Sequence, residues 1–127
     1  MIEPIVFISH FRIKTDQLDA FGAYFQEGAA GLQAEKPRTV AFLAYADEAG
    51  TRASIVHVFP DADAMDHHIE GAAERSRAAY EFLEPDGWEI YGDPSPAALR
   101  MMQDSASAAG VTLTVKPGHI GGFLRDR

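Results

Sequence analysis

Two adjacent histidines, His67 and His68, stand between Asp66 and Glu70 in the stretch MDHHIEG. Imidazoles and carboxylates this close in sequence are the groups that bind metal ions or transfer protons. The spacing argues against a metal site, because two ligands on one helix lie four residues apart when they share an ion. A zinc ion here would need further ligands from distant parts of the chain, so we predict no metal site.

The two histidines fall on different sides of the helix predicted for residues 62–83. At about 100° per residue, His68 lies at the edge of an apolar stripe and His67 lies on the opposite, charged side. The stripe consists of Met65, Ile69, Ala72, Ser76, Ala79, Tyr80 and Leu83. We expect His67 to be solvated, whereas His68 is either a hydrogen-bonded residue at the core edge or a ligand contact.

His10 and His57 lie on the segments predicted as the first and third strands, which are neighbours in the expected sheet. His10, beside Arg12, is expected to point away from the main apolar face. If a second copy packs on that side of the sheet, His10 faces a cavity between the two copies, on the dimer side. If His57 faces the same side, the two rings are cross-strand neighbours. A neutral imidazole near pH 7 is suited to removing a phenolic proton. The alternative is two histidines that are hydrogen-bonded independently.

Tyr45 and Trp88 are the aromatic residues placed to stack on a flat ligand, near the end of the second strand and the start of the fourth. Both side chains are equally able to fill the core. With Arg12 and His68 they make up the predicted substrate-binding set, and His10 and His57 make up the predicted catalytic pair.

The composition excludes several classes of protein. Nineteen acidic and 11 basic residues leave a formal charge of −8, which disfavours nucleic acid and anionic membranes as partners. The chain has no cysteine, hence no disulfide, thiolate ligand or thiol nucleophile. It lacks glycine-rich nucleotide-binding, GxSxG and HExxH motifs, a signal peptide and a membrane-spanning apolar run. We expect a cytoplasmic protein without metal or cofactor.

Residues 5–13 alternate in polarity, as a β-strand with one strongly apolar face does. One face carries Ile5, Phe7, Ser9, Phe11 and Ile13, and the other carries Val6, Ile8, His10, Arg12 and Lys14. The following segments are predicted as a helix at 16–35 capped by Thr15, a hairpin of strands at 39–46 and 51–59, the helix at 62–83 capped by Asp61, a Pro-Asp-Gly turn and a strand at 88–92. The order β-α-β-β-α-β builds a ferredoxin-like α+β fold, with an antiparallel sheet and both helices on one face.

A further helix and strand follow this unit. Ser95 and Pro96 are typical of a helix start, Gly110 is typical of a helix end, and residues 111–116 alternate as a fifth strand. We interpret residues 1–127 as one domain, with a core at about 4–92 and a C-terminal extension at 95–127. The tail GHIGGFLRDR is predicted to be a loop or a clasp on a partner.

A single sheet covered by helices on one face leaves Val6, Ile8 and their neighbours on the other face bare. Exposing apolar surface costs about 25 cal/mol per Å², so we predict a homodimer in which two sheets pack face to face. Incomplete closure between the sheets would leave a dimer-side cavity for a small ligand.

The run IVHVFPDADAMDHHI, at the junction of the third strand and the second helix, resembles the antibiotic-biosynthesis-monooxygenase group of the dimeric α+β barrel superfamily. Members of that group have a strand ending in an aromatic residue, a short acidic linker, and an Ala-aliphatic pair opening a helix that carries a histidine. Phe59, residues 60–63, the pair Ala64-Met65 and His68 match this order. The resemblance covers about residues 4–92 and implies a dimer.

The same resemblance implies cofactor-free oxygenation of quinol or polyketide-like aromatics, or haem breakdown. Haem-degrading relatives have an asparagine on the first strand, a tryptophan ending the third, and a histidine late in the second helix. This chain has Ser9 or His10, Phe59, and the histidine-free stretch RSRAAYEFL at those places, so haem chemistry is not expected. The prediction is a cofactor-independent monooxygenase of a small aromatic substrate. The alternatives are a non-catalytic dimeric barrel that binds a small ligand, or an interaction module.

Overall fold

The computed structural model describes residues 3–125. Within them the sheet has the strand order β2-β3-β1-β4-β5. β1 runs antiparallel to both β3 and β4, β2 runs antiparallel to β3, and β5 is parallel to β4. The elements are β1 (Ile5–Ile13), α1 (Leu18–Glu35), β2 (Ala41–Ala46), β3 (Arg52–Phe59), α2 (Ala62–Ile69), α3 (Ala72–Ala79), β4 (Leu83–Tyr91), α4 (Pro96–Ala109) and β5 (Leu113–Lys116). The predicted ferredoxin-like α+β fold with its C-terminal helix and strand is confirmed.

The two faces of the sheet differ in the way that the alternation in β1 predicts. Ile5, Phe7, Ser9 and Phe11 are buried and lie on the helix-side face, where the helices pack. The even-numbered residues of β1 lie on the other face, which we call the open face. It also carries Leu43 and Tyr45, with exposed fractions of 47% and 62%.

The buried core forms two clusters at opposite ends of the helix-side face. The first contains Ile5, Phe59, Met65, Ile90 and Met102, and α2 and α4 contribute to it. The second contains Phe11, Phe21, Ala53 and Leu83. Because members of one strand, β1, belong to both clusters, the strand links the two ends of the core across the middle of the sheet.

The helix predicted at 62–83 is two helices, α2 and α3. Glu70 is extended, with a ψ of 125°, and Gly71 has a φ of 82°, a conformation that favours glycine. Arg75 donates hydrogen bonds to the carbonyls of His68 and Glu70, at 2.7 and 3.0 Å. These bonds supply partners for carbonyls that the break removes from the helical ladder.

β4 is longer than the predicted strand, because Pro85, Asp86 and Gly87 form a bulge rather than a turn. His10 pairs with Gly87 whereas Phe11 pairs with Pro85, so Asp86 is the extra residue. The Asp86 carboxylate accepts hydrogen bonds from Arg12, at 2.7 Å, and from Arg52. The strand therefore starts at Leu83, and Trp88 lies inside it rather than at its start.

The helix ends follow the predicted caps with one exception. Asp61 accepts a hydrogen bond from the backbone N–H of Ala64 at 2.8 Å, and Ser95 accepts one from that of Ala98 at 3.1 Å. The exception is Thr15, which was predicted to cap α1. That helix begins at Leu18 without a side-chain cap, because Asp16 has a φ of 61° and stands outside the helix. No helix among residues 3–125 is long and apolar enough to cross a membrane.

Gly92 lies directly after β4, where the end of β4 closely approaches the start of β1. Its φ is 116°, and a Cβ there would lie 2.7 Å from the carbonyl oxygen of Pro4. Gly110 has a φ of 68°, but a Cβ there would meet nothing within 4 Å. We expect Gly92→Ala to lower the free energy of unfolding by about 3 kcal/mol and Gly110→Ala by about 1 kcal/mol. Urea denaturation measures both, and equal losses would contradict the predicted backbone contact.

Candidate functional site

A cavity of about 520 Å³ lies between the helix-side face of the sheet and the helices. Its walls are mainly apolar and aromatic, with contributions from Phe7, Phe11, Phe21, Phe25, Leu32, Phe42, Ile55, Trp88 and Met102. We predicted a cavity on the dimer side of the sheet, whereas this cavity lies on the other side. The reason is that α1 buries only two residues and α3 buries none, so these helices leave space above the centre of the sheet.

His57 stands at the centre of the cavity floor, on β3 opposite Phe7. Its Nδ1–H donates a hydrogen bond of 3.0 Å to the carbonyl oxygen of Phe7. Because that oxygen can only accept, the neutral ring carries its lone pair on Nε2. Burial lowers the pKa of His57 to about 4, and the charge of Arg75 acts in the same direction. His57 is therefore a neutral hydrogen-bond acceptor at pH 7.

His68 lies beside His57, with ring centroids 5.2 Å apart and the rings edge to face. It is 4% exposed, and its Nδ1 lies 2.7 Å from the hydroxyl oxygen of Thr39. Burial, together with the charges of neighbouring His57 and Arg75, lowers the pKa of His68 to about 3. His68 is thus hydrogen-bonded at the core edge and also lines the cavity, and its contact with a ligand stays a prediction.

His67 differs from its prediction as a solvated residue. Its side chain is half-buried, and its Nδ1 atom is buried without a hydrogen-bond partner among the described residues. The break after α2 shortens the helix, and the carbonyl oxygen of His67 accepts a 2.7 Å hydrogen bond from Lys36, which follows α1. The doublet thus divides into one cavity residue, His68, and one that packs at the junction with the end of α1.

Arg75 is the cavity residue that sequence reasoning missed. A continuous helix would have placed it near the charged side, but the break at Gly71 lets its guanidinium reach back to the end of α2 and line the cavity. Burial lowers the pKa of Arg75, although the group stays charged at pH 7. The signal in the sequence that could have revealed this arrangement is Gly71, a glycine inside the predicted helix.

Trp88 and Ser9 are paired across β4 and β1, and both line the cavity. Phe42 completes the surroundings of the histidines, with its ring centroid 5.2 Å from that of His57 and 5.6 Å from that of His68. Of the predicted site residues, His57, His68 and Trp88 are therefore brought together around one space.

His10, Arg12 and Tyr45 lie on the open face, on the other side of the sheet. His10 pairs with Ser54, and its Nδ1 lies 2.8 Å from the hydroxyl oxygen of Ser54. Its Nε2 contacts the carboxylate of Glu89, which also accepts a hydrogen bond from the Tyr91 hydroxyl. The condition for a His10–His57 pair, that both rings face the same side, is not met.

No group of three or more histidine, aspartate or glutamate side chains among residues 3–125 is arranged to hold a metal ion. The polar atoms around the cavity are instead two neutral imidazoles, two guanidinium groups and several hydroxyl groups. This set is suited to moving a proton and to binding a charged or polar oxygen atom of a ligand.

Solved structures of other proteins share this fold. The chain has the α+β fold of the antibiotic-biosynthesis-monooxygenase-like proteins. Among solved structures it is similar to MupZ from Pseudomonas fluorescens, with a TM-score of 0.71, 18% identity, and coverage of 97% of this chain and 95% of MupZ. That coverage includes the C-terminal helix and strand. No family model matches the sequence, and no curated protein matches it.

Two further structures align with about as many residues as the predicted core at 4–92 contains. SnoaB, a cofactor-independent oxygenase from Streptomyces nogalater, aligns with a TM-score of 0.60 and 14% identity over 73% of this chain and 95% of SnoaB. A candidate antibiotic biosynthesis monooxygenase from Caulobacter crescentus aligns with a TM-score of 0.61 and 15% identity over 70% of this chain and 88% of its own. At these identities the likeness establishes the fold.

The buried histidines predict a loss of stability in acid. Between pH 6.5 and pH 5, a histidine in the unfolded chain takes up a proton while His57 in the folded protein does not. Stability contributed by the neutral ring is thus complete above pH 6.5 and falls as the pH drops toward 4. In His57→Gln, the fall in unfolding free energy from pH 6.5 to pH 5 should be smaller by about 1.5 kcal/mol.

Urea denaturation at the two pH values makes this measurement. His119→Gln, in the exposed tail, is the control for removing an imidazole outside the core. An identical pH dependence in His57→Gln and the unaltered protein would contradict a buried neutral His57.

Proposed function

We propose that the protein is a cofactor-independent monooxygenase that acts on a small, electron-rich aromatic molecule, of quinol or polyketide type, in the cavity between sheet and helices. The observation that carries the proposal is the neutral His57, with Nε2 unprotonated, in the floor of an aromatic-walled space. The fold shared with a cofactor-independent oxygenase supports it.

The size and walls of the cavity suit a flat ligand. Its volume of about 520 Å³ falls in the usual range for small-molecule pockets, roughly 300–1,000 Å³. Phe7, Phe42 and Trp88 offer aromatic surfaces, which favour offset or edge contacts with a ligand ring. His68 adds a polar edge beside His57, so a ligand lying on the floor meets both imidazoles.

The chemistry begins with removal of a proton from the substrate by Nε2 of His57. A pKa of about 4 makes the free residue a weak base, but the anion formed beside the ring stabilises the imidazolium and raises that pKa. The substrate anion then supplies electrons to oxygen and forms a carbon–oxygen bond. Where a CH₂ group becomes a carbonyl, one oxygen atom stays in the product and the other leaves as water, together with the two hydrogens.

His57→Gln tests the role of His57, because glutamine retains an N–H for the Phe7 carbonyl but has no basic nitrogen. With a panel of quinols and anthrones, we expect kcat/KM for oxygen consumption to fall by about 10²- to 10⁴-fold. His10→Gln is the matched control, because His10 lies across the sheet from the cavity, and it should retain the activity of the unaltered protein.

Full activity in His57→Gln would contradict this assignment. If aromatic ligands bind without oxygen consumption, the second candidate stands, a non-catalytic ligand-binding protein. The low pKa of His57 favours that candidate, because a weak base is sufficient for a hydrogen bond but poor at taking a proton.

We also propose that two copies form a homodimer through their open faces. Val6, Ile8, Val56, Val58 and Leu43 lie on that face in one apolar area. The polar residues among them, His10, Glu89, Ser54 and Tyr91, are already hydrogen-bonded to one another. Covering the face would therefore bury few unpaired polar groups. This position gives His10, Arg12 and Tyr45 a role at the interface rather than in the cavity.

Val56 is central in this face, since it pairs with Ile8 on one side and Leu43 on the other. Val56→Asp places a charge where the second copy would pack. We therefore expect the Kd of the dimer to rise at least 100-fold. Sedimentation should then give the chain mass of 13.8 kDa, and twice that mass for the unaltered protein. Val56→Ile, which keeps the surface apolar, should remain dimeric. A monomeric unaltered protein at micromolar concentration would contradict the dimer.

A further inference from the structure

The charges around the cavity differ in sign from those of the whole protein. The chain has 19 acidic and 11 basic residues, yet no aspartate or glutamate is among the described residues that line the cavity. The groups there that can carry a full positive charge are Arg75, Arg77, His57 and His68. The described cavity wall thus lacks carboxylates, although the protein as a whole is acidic.

Arg75 lines the same cavity as the two imidazoles, and its guanidinium lies 2.7 Å from the backbone carbonyl oxygen of His68. Its guanidinium donates to two backbone carbonyls, which carry no net charge. Within the described chain no carboxylate lies within 4 Å of it, and Glu35 acts only from farther away. A half-buried cation of this kind has lost part of its hydration without gaining a counterion.

We infer that the ligand of this cavity is a flat aromatic acid that binds as an anion, with its carboxylate against Arg75 and its ring over the floor of the sheet. The inference rests on the cavity of the proposed function and names the class of molecule that the cavity accepts.

The donor geometry supports a carboxylate. Guanidinium has five N–H donors in a planar fork that matches the two oxygens of a carboxylate. Two of these donors are occupied by the carbonyls of His68 and Glu70, and the rest remain for a ligand. Those two bonds also hold the guanidinium in place, so little side-chain entropy is lost when an anion binds.

The shape of the cavity supports an acid whose charge is at one end. Arg75 belongs to α3, whereas Phe7, Phe42 and Trp88 belong to the sheet. A molecule with a carboxylate at one end of a planar ring can contact both walls at once. A neutral ring of the same shape makes the aromatic contacts alone.

The test compares 2-naphthoate with its neutral analogue 2-naphthamide, by isothermal titration at pH 7.5 and constant ionic strength. For the unaltered protein we expect the acid to bind at least 10-fold more tightly than the amide. In Arg75→Gln the two affinities should become equal within about twofold, with amide binding unchanged. Arg75→Lys should keep part of the preference, because it retains the charge without the fork.

Arg38→Gln is the control, because Arg38 pairs with Asp61 and Asp63 on the surface; it should keep the full preference. Since Arg75 also binds the end of α2, circular dichroism must show that its variants are folded. If Arg75→Gln is unfolded, the acid-to-amide ratio in the unaltered protein and in Arg75→Lys decides. Equal binding of acid and amide by the unaltered protein, or an undiminished preference in folded Arg75→Gln, would overturn the inference.

These results are separate from those on oxygen consumption. Selective binding of the acid without oxygen consumption would support the inference and count against the oxygenase. Turnover of neutral anthrones without selective binding of the acid would do the reverse.

Discussion

The antiparallel pairing of β1 with β3 determines which side of the sheet each candidate residue faces. Phe7 lies opposite His57, and His10 lies opposite Ser54. A slip of one residue would exchange the two faces of a strand. The hydrogen bond from the His57 ring to the Phe7 carbonyl lies within this pairing, so the register fixes the protonated nitrogen of the ring as well as its direction. The separation of a cavity face from an open face follows from the same register.

Burial keeps the histidines of the cavity neutral, and it also makes the stability of the protein depend on pH. Among the buried residues that line it are His57 and His68, which stay neutral because the surrounding aromatic side chains exclude water. Neutral imidazoles can accept protons, and they stay neutral only while the fold keeps them from water. Arg75 adds to this condition, since its charge further disfavours protonation of both rings. The neutral state of these imidazoles and the acid sensitivity predicted for the protein thus have one physical origin.

Strand β1 and the caps of α2 and α4 could be predicted from the sequence because their causes are local. Alternation defined both faces of β1, and Asp61 and Ser95 act as the caps that their residue types indicate. The helix break could not be read from periodicity, because the apolar stripe continues past Gly71 while the backbone turns there. The side of the sheet that holds the cavity depends on how closely distant helices approach it, and no local pattern in the sequence reports that distance.

The helix α3 forms one wall of the cavity. It provides the wall residues Ala72, Ala73, Ser76 and Ala79, yet none of its residues is fully buried. Core substitutions commonly cost several kcal/mol, whereas changes at half-exposed positions cost far less. Substitutions at these four positions therefore alter the size of the cavity at little cost in stability.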